Sequence, residues 1–197
     1  MIQLLKPAAS LTGTVSVPAD KSISHRSAML SALADGTSHI RNYPRSADPQ
    51  STLNVLRGLG VSMHRNDDDV LVIDGVGTDG LRPPSKPLNC GNSGTTMRLV
   101  SGILAGQKFG SVLTGDDSLK QRPMQRIASP IKAMGGRVNL VDDHAPIRLR
   151  SSRGGLDAIR YRLPMASAQV KSCVLLAGLY ANGQTTVVEP TPCRDHT

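Results

Sequence analysis

Aromatic residues are almost missing from this chain. There is no tryptophan, and Tyr43, Phe109, Tyr161 and Tyr180 make up 2% of 197 residues. Proteins that hold single-stranded nucleic acid stack bases on aromatic rings, so the scarcity speaks against that class. It does so although a net charge of +8 asks for an acidic partner. The basic residues are also spread along the chain, with no tail or arm to follow a phosphate backbone, and a compact pocket for a small anion is the better reading. Cysteine is scarce too: Cys90, Cys173 and Cys193 are odd in number and lack metal-ligand spacing. Reduced thiols in the cytoplasm account for them most simply, with Cys173 a small core residue of an aliphatic helix. No apolar run reaches membrane-spanning length, and residues 1–6 lack the apolar core of a secretory signal. No His or carboxylate cluster has metal spacing and no Ser-His-Asp set is apparent, so neither a metal nor a membrane is expected. The 39% apolar and 19% charged residues are those of a globular chain, long enough for one sizeable domain or two small ones.

What the chain does have is a recurring helix opening. Ser22-Ile23-Ser24-His25-Arg26, Ser93-Gly94-Thr95-Thr96-Met97-Arg98 and Ser167-Ala168-Gln169-Val170-Lys171 each follow a turn and lead into small and aliphatic residues. Gly36, Gly106 and Gly183 stand near the ends of these runs, and the serines are 71 and 74 residues apart. A small hydroxyl residue at a helix start leaves backbone N–H groups pointing outward, where the helix dipole favours an anion. Each opening carries a cation as well, Arg26, Arg98 or Lys171. Three such openings predict a pocket for several negative charges.

The rest of the chain repeats with them. A helix over 22–34 is followed by a strand over 37–42, then by a helix that Asp48-Pro49 caps, with Leu53, Leu56 and Leu59 on one face and Gly60 closing it. Strands over 61–64 and 70–73 flank the turn Asn66-Asp67-Asp68-Asp69. The second unit predicts a helix over 94–105, a strand over 111–114, a helix from Pro123 to the closing Gly135, and strands over 137–140 and 147–150 around Asp142-Asp143-His144. Gly60 and Gly135 are 75 residues apart. A third unit begins at Ser167 with a helix and a strand over 184–189, and by the internal template a helix and a two-stranded hairpin should follow. The expected architecture is α/β: an inside-out, barrel-like domain of βαβαββ units about a pseudo-threefold axis, with the third unit truncated. The units span about 18–80, 81–155 and 156–197. Their helices should be buried, because Ala28, Met29, Leu30 and Leu33, like Val174, Leu175, Leu176 and Ala177, form nearly continuous apolar runs.

Single residues read two ways. Lys21 and Arg26 could be solvated charges, but a lysine at a helix N-terminus opposes the dipole and needs an anion. Asn92-Ser93-Gly94-Thr95-Thr96 could be a capped turn, yet Gly94 would let a ligand approach the backbone. Arg122 precedes Pro123 and is therefore extended, either a surface arginine or one reaching into a cleft. Gln169, in the first turn of an apolar helix, is least explicable as packing because its amide needs partners. His25 reads as a capping or core residue and Asp116-Asp117 as a turn.

Five ordered motifs carry a resemblance: Val17-Pro18-Ala19-Asp20-Lys21-Ser22-Ile23-Ser24-His25-Arg26; Leu88-Asn89-Cys90-Gly91-Asn92-Ser93-Gly94-Thr95-Thr96-Met97-Arg98-Leu99; Gly115-Asp116-Asp117-Ser118-Leu119 with Arg122-Pro123-Met124; Pro164-Met165-Ala166-Ser167-Ala168-Gln169-Val170-Lys171-Ser172; and Arg194-Asp195-His196-Thr197. Together they resemble 5-enolpyruvylshikimate-3-phosphate synthases, from about residue 12 to 197. Ala19 stands where that family often has Gly, and Ala168 resembles its bacterial Ser-Ala-Gln branch.

The resemblance implies a fold of two domains, each of three α/β units. A first strand (here 1–17) crosses to the second domain, which would be absent here. It implies transfer of the enolpyruvyl group of phosphoenolpyruvate to the 5-hydroxyl of shikimate 3-phosphate, by addition and then elimination of phosphate, with no metal or organic cofactor. Lys21 would touch both substrates, and Ser22, Arg26, Ser167, Ala168 (through its backbone), Gln169 and Arg194 would hold shikimate 3-phosphate. Asn92, Gly94, Thr95 and Arg122, with Gln169, would receive phosphoenolpyruvate, the site that the herbicide glyphosate occupies. Lys21, Arg122 and Gln169 are thereby the catalytic candidates, while the family's acid/base residues lie in the second domain. The resemblance also implies a monomer working on small anions. Two alternatives stay open. One is the sister transferase acting on UDP-N-acetylglucosamine, which pairs its lysine with Asn where this chain has Lys21-Ser22. The other is a non-catalytic anion- or nucleic-acid-binding module.

Overall fold

The computed structural model describes residues 7–10, 12–15, 17–152 and 154–191. Three helices set the frame: α1 (Lys21–Leu33), α3 (Gly94–Ala105) and α6 (Ala168–Gly178). Helix α3 is the most enclosed, with ten of its twelve residues buried. Its sequence permits this, because Gly102 lets the helix come against α6: a Cβ there would stand 2.2 Å from the Cys173 carbonyl oxygen.

After α1 and after α3 the chain does the same thing. In the first case a strand, β1 (Asp35–Ile40), leads to α2 (Ala47–Gly58) and the hairpin β2 (Ser62–Arg65) and β3 (Leu71–Val76). In the second, β5 (Ser111–Thr114) leads through the short α4 (Asp117–Lys120) to α5 (Gln125–Ala133) and the hairpin β6 (Arg137–Val141) and β7 (His144–Arg150). The last strand of each run lies in the middle of its sheet, antiparallel to both neighbours: β3 between β1 and β2, β7 between β5 and β6. The outer helices stop alike. Gly60 and Gly135, at φ 89° and 80°, follow α2 and α5. Gly60 and Val61 donate to the Arg57 and Leu56 carbonyls, as Gly135 and Gly136 donate to those of Lys132 and Ile131. That is the paired ending that left-handed glycine permits. The β6–β7 turn is Asp142-Asp143, both at positive φ, as a tight two-residue hairpin requires.

Short strands bring each later helix back beside its own approach. β4 (Leu88–Asn89) runs parallel to β5 across α3. β8 (Leu156–Asp157) and β9 (Arg160–Arg162) run parallel to β10 (Ala181–Asn182) and β11 (Thr186–Val188) across α6.

Several expectations shift. The cap of α1 is Asp20, whose carboxylate accepts from the Ile23 N–H at 2.8 Å, so Ser22 lies inside the first turn. The structurally equivalent caps are thus Asp20, Ser93 and Ser167, 73 and 74 residues apart. Helix α2 starts after Ser46, because the Asp48 carboxylate is drawn to Lys21 instead of to its own backbone. Asp116 caps α4 and is more than a turn residue. Helix α5 starts at Gln125, two residues past Pro123, and Gly183 lies beyond the end of α6 at Gly178. The two apolar runs are not wholly buried: Leu30 is 54% and Leu175 46% exposed. With Leu179 they line an open groove between α1 and α6. Described residues between 7 and 17 form no strand, and the remainder of that segment lies outside the described residues.

Candidate functional site

The heads of α3 and α6 meet through side chains. Arg98, one turn into α3, donates from Nη1 to Gln169 Oε1 at 2.6 Å and from Nη2 to the Pro123 carbonyl at 3.3 Å. Gln169, in the first turn of α6, donates from Nε2 to Thr95 Oγ1 at 3.0 Å. Gly94 opens α3 beneath this contact, and a Cβ on it would stand 2.9 Å from Arg98 Nη1 and 3.3 Å from Arg122 Nη1. Arg122 in turn donates to Asn92 Oδ1, and Asn92 Nδ2 donates to Asp116 Oδ2 at 2.7 Å. Each of the two carboxamides therefore has its oxygen on an arginine and its nitrogen on an oxygen acceptor.

The electrostatics of this corner are lopsided. Burial, with the Arg122 and Arg126 guanidiniums nearby, lowers the pKa of Arg98. The Asp116 carboxyl is held below the usual range by the Leu119 N–H, the Asn92 amide and then Arg122. Ser93 and Ser167 cap their helices with neutral hydroxyls that accept from Thr96 N and Val170 N at 3.1 and 3.4 Å. Two positive helix ends thus face a cluster of guanidiniums.

The head of α1 is arranged otherwise. Lys21 Nζ lies 3.1 Å from Asp48 Oδ2, so the anion that a lysine at a helix start requires comes from α2. Arg26 donates to the Ser22 carbonyl at 3.1 Å and to Ser172 Oγ on α6 at 2.7 Å. Lys171, the cation of the third opening, pairs with Glu189 at 3.3 Å. Beneath the surface runs a buried chain: His25 Nδ1 to Thr52 Oγ1 at 2.6 Å, Thr52 to Thr96 Oγ1 at 2.7 Å, and Thr96 to Ser93 Oγ at 2.8 Å. It ties α1, α2 and α3 together directly below their heads. Burial lowers the His25 pKa to about 4; Asp48 opposes this shift, and Lys21 and Arg26 add to it.

Of the residues singled out from sequence, the structure joins Asn92 with Arg122 and Thr95 with Gln169, and sets Gly94 against both arginines. Ser22, Arg26, Ser167 and Ala168 stand at the heads of α1 and α6, and Lys21 turns to Asp48. Arg194 and Cys193 lie outside the described residues, while Cys90 and Cys173 are buried free thiols, pushed up to about 12 by burial. Asp48, Thr52 and Thr96 have no site role in the sequence reading, and Arg98 enters it as the cation of the second helix opening without a partner of its own. Only Arg98 left a signal, since its four-residue spacing from Gly94 puts it over that glycine on the helix face. Among the described residues no group of His, Cys, Asp or Glu is placed to hold a metal ion, and no helix is long and apolar enough to cross a membrane.

Comparison with known proteins supplies the context for this corner. A family model described as EPSP synthase (3-phosphoshikimate 1-carboxyvinyltransferase) matches residues 5–197. The 3-phosphoshikimate 1-carboxyvinyltransferase of Salinibacter ruber is 67% identical over 198 residues, covering 100% of this chain and 46% of that protein. The same-named protein of Acidithiobacillus ferrooxidans is 51% identical, over 98% of this chain and 44% of its own length. The solved EPSP synthase of Acinetobacter baumannii superposes with a TM-score of 0.89 at 48% identity, over 93% of this chain and 42% of that one. The chain therefore spans a little under half the length of the relatives it matches. It belongs to the EPSP synthase (3-phosphoshikimate 1-carboxyvinyltransferase) family.

Proposed function

We propose that this chain carries one half of a site for enolpyruvyl transfer from phosphoenolpyruvate to the 5-hydroxyl of shikimate 3-phosphate, with release of phosphate. The observation that carries the reading is the corner at Gly94, where Arg98, Arg122, Asn92 and Gln169 converge on two neutral-capped helix heads. Both substrates are polyanions, and bringing them into contact requires fixed positive charge and aligned N–H donors. Arg122, with Asn92, Gly94 and Thr95, receives phosphoenolpyruvate. Ser22, Arg26, Ser167, the Ala168 backbone and Gln169 hold shikimate 3-phosphate, with Arg194 on the same side. Lys21 leaves Asp48 to span the two substrates. Arg122 and Gln169 stabilise charge where the carboxyvinyl group adds. Proton transfers at C3 and from the hydroxyl belong to groups in the relatives' remaining length.

In this reading residues 18–80, 81–155 and 156–197 are three units of an inside-out α/β domain about a pseudo-threefold axis, and residues 1–17 are the segment that crosses to a second domain. The recurrence of helix, strand, helix and hairpin, and the matched endings of α2 and α5, support it. The enzyme works as a cytoplasmic monomer, without metal or organic cofactor and without nucleic acid. Titration calorimetry of the 197-residue chain with shikimate 3-phosphate tests the assignment. Saturable binding that Arg26→Ala weakens about tenfold or more is expected, the cost of losing a charge-assisted bond. Identical isotherms for the two proteins would remove Arg26 from the site.

A further inference from the structure

We propose that Arg98 is a positioning residue, one that sets which way the Gln169 carboxamide faces, and that Gly94 lacks a side chain to leave room for its guanidinium. The inference rests on the reading above, in which Gln169 faces an anionic substrate. A guanidinium has five N–H donors and no acceptor, so only the carbonyl oxygen of a carboxamide can sit against it. Arg98 Nη1 stands 2.6 Å from Gln169 Oε1, and Thr95 Oγ1 takes one N–H of Nε2 at 3.0 Å. The second N–H of Nε2 is then the group left to donate to a phosphate or carboxylate oxygen. Turned over, the amide would present its oxygen to the same anion and repel it. Arg98 thus acts across two helices whose sequence positions are 71 residues apart.

Gly94 enters through the same geometry. A methyl there would stand 2.9 Å from Arg98 Nη1 and 3.7 Å from its Cζ. The guanidinium is the far end of a flexible side chain, so it gives way and leaves Gln169 Oε1. Gly94→Ala is therefore expected to act on the Gln169 amide even before a ligand is present.

The test follows the side-chain N–H pair of Gln169 by ¹H–¹⁵N NMR in the 197-residue chain, assigned by its disappearance in Gln169→Leu. Arg98→Lys retains a donor-only cation and should keep the pair near its parent position. Arg98→Gln, which can also accept, and Gly94→Ala should both move it in the same direction. In titrations with shikimate 3-phosphate, Arg98→Gln should lose about tenfold or more in affinity and Arg98→Lys about threefold or less. An unmoved Gln169 pair in Arg98→Gln overturns the proposal, as does equal affinity in the two variants. If the parent chain does not bind shikimate 3-phosphate, the substrate reading fails instead, and the amide resonances still decide the role of Arg98. Should Arg98→Gln not fold, Gly94→Ala supplies the same readout with Arg98 intact.

Discussion

Helices α1 and α3 look alike in sequence and differ where it matters. Each begins after a turn, carries hydroxyl residues in its first turn and bears an arginine soon after. At α1 the cap is a carboxylate, Asp20, and the first lysine is paired with a second carboxylate, Asp48. At α3 the cap is the neutral Ser93, and Arg98 and Arg122 donate to uncharged acceptors: Gln169, the Pro123 carbonyl and Asn92. The helix dipole is therefore compensated at α1 and left open at α3. In the proposed site an anion is therefore drawn to α3 by backbone and guanidinium together, whereas α1 offers it side chains. Their flanks differ in the same sense, since α3 is enclosed while Leu30 and Ile23 of α1 are half exposed.

Acid should separate the two helices most strongly. His25 is fully buried, and its pKa is lowered to about 4 from 6.5. The unfolded chain takes up this proton first as pH falls, so the stability is complete above pH 6.5 and is lost on the way down to about pH 4. The loss is on the order of 3 kcal/mol. Urea denaturation across that range should show the slope, and His25→Gln should flatten it. Next in size is Gly102→Ala, whose methyl meets the Cys173 carbonyl oxygen at 2.2 Å. A cost near 3 kcal/mol is expected at this crossing, the upper end for overpacking. Leu30→Ala on the open side of α1 should cost under about 1 kcal/mol. Thr96→Val breaks the buried hydroxyl chain between the two helices, a loss of about 2 kcal/mol by the same denaturation. Asp48→Asn is the smallest, below about 1 kcal/mol, because Lys21 and its partner are solvent-screened. Its interest lies in shikimate 3-phosphate affinity, which should rise when Lys21 no longer has to be released; an unchanged affinity would separate Lys21 from the ligand.

Much of the fold was legible because its signals are local. Gly60 and Gly135 mark helix ends through backbone conformation alone, and the strand over 111–114 follows to the residue from the internal repeat. Strands β4, β8 and β9 were not read, because two or three residues paired across a helix leave no periodicity. The helix was opened at Ser22 because Asp20 and Ser22 both suit a helix start, and only the geometry shows that Asp20 accepts the Ile23 N–H. Gln169 was legible as a polar residue in an apolar helix and Arg98 as the cation of a helix opening, but their pairing was not. Contact between the heads of α3 and α6 depends on a crossing that Gly102 permits from two turns away.

Backbone amide shifts on titration with phosphoenolpyruvate, the anion assigned to the head of α3, put the contrast between the two heads to the test. Saturable shifts led by Gly94 and Thr95 are expected. The Ile23 N–H, already held by the Asp20 carboxylate, should move least among the first-turn amides. Leading shifts at Ile23 and Ser24, with Gly94 and Thr95 silent, would overturn the contrast.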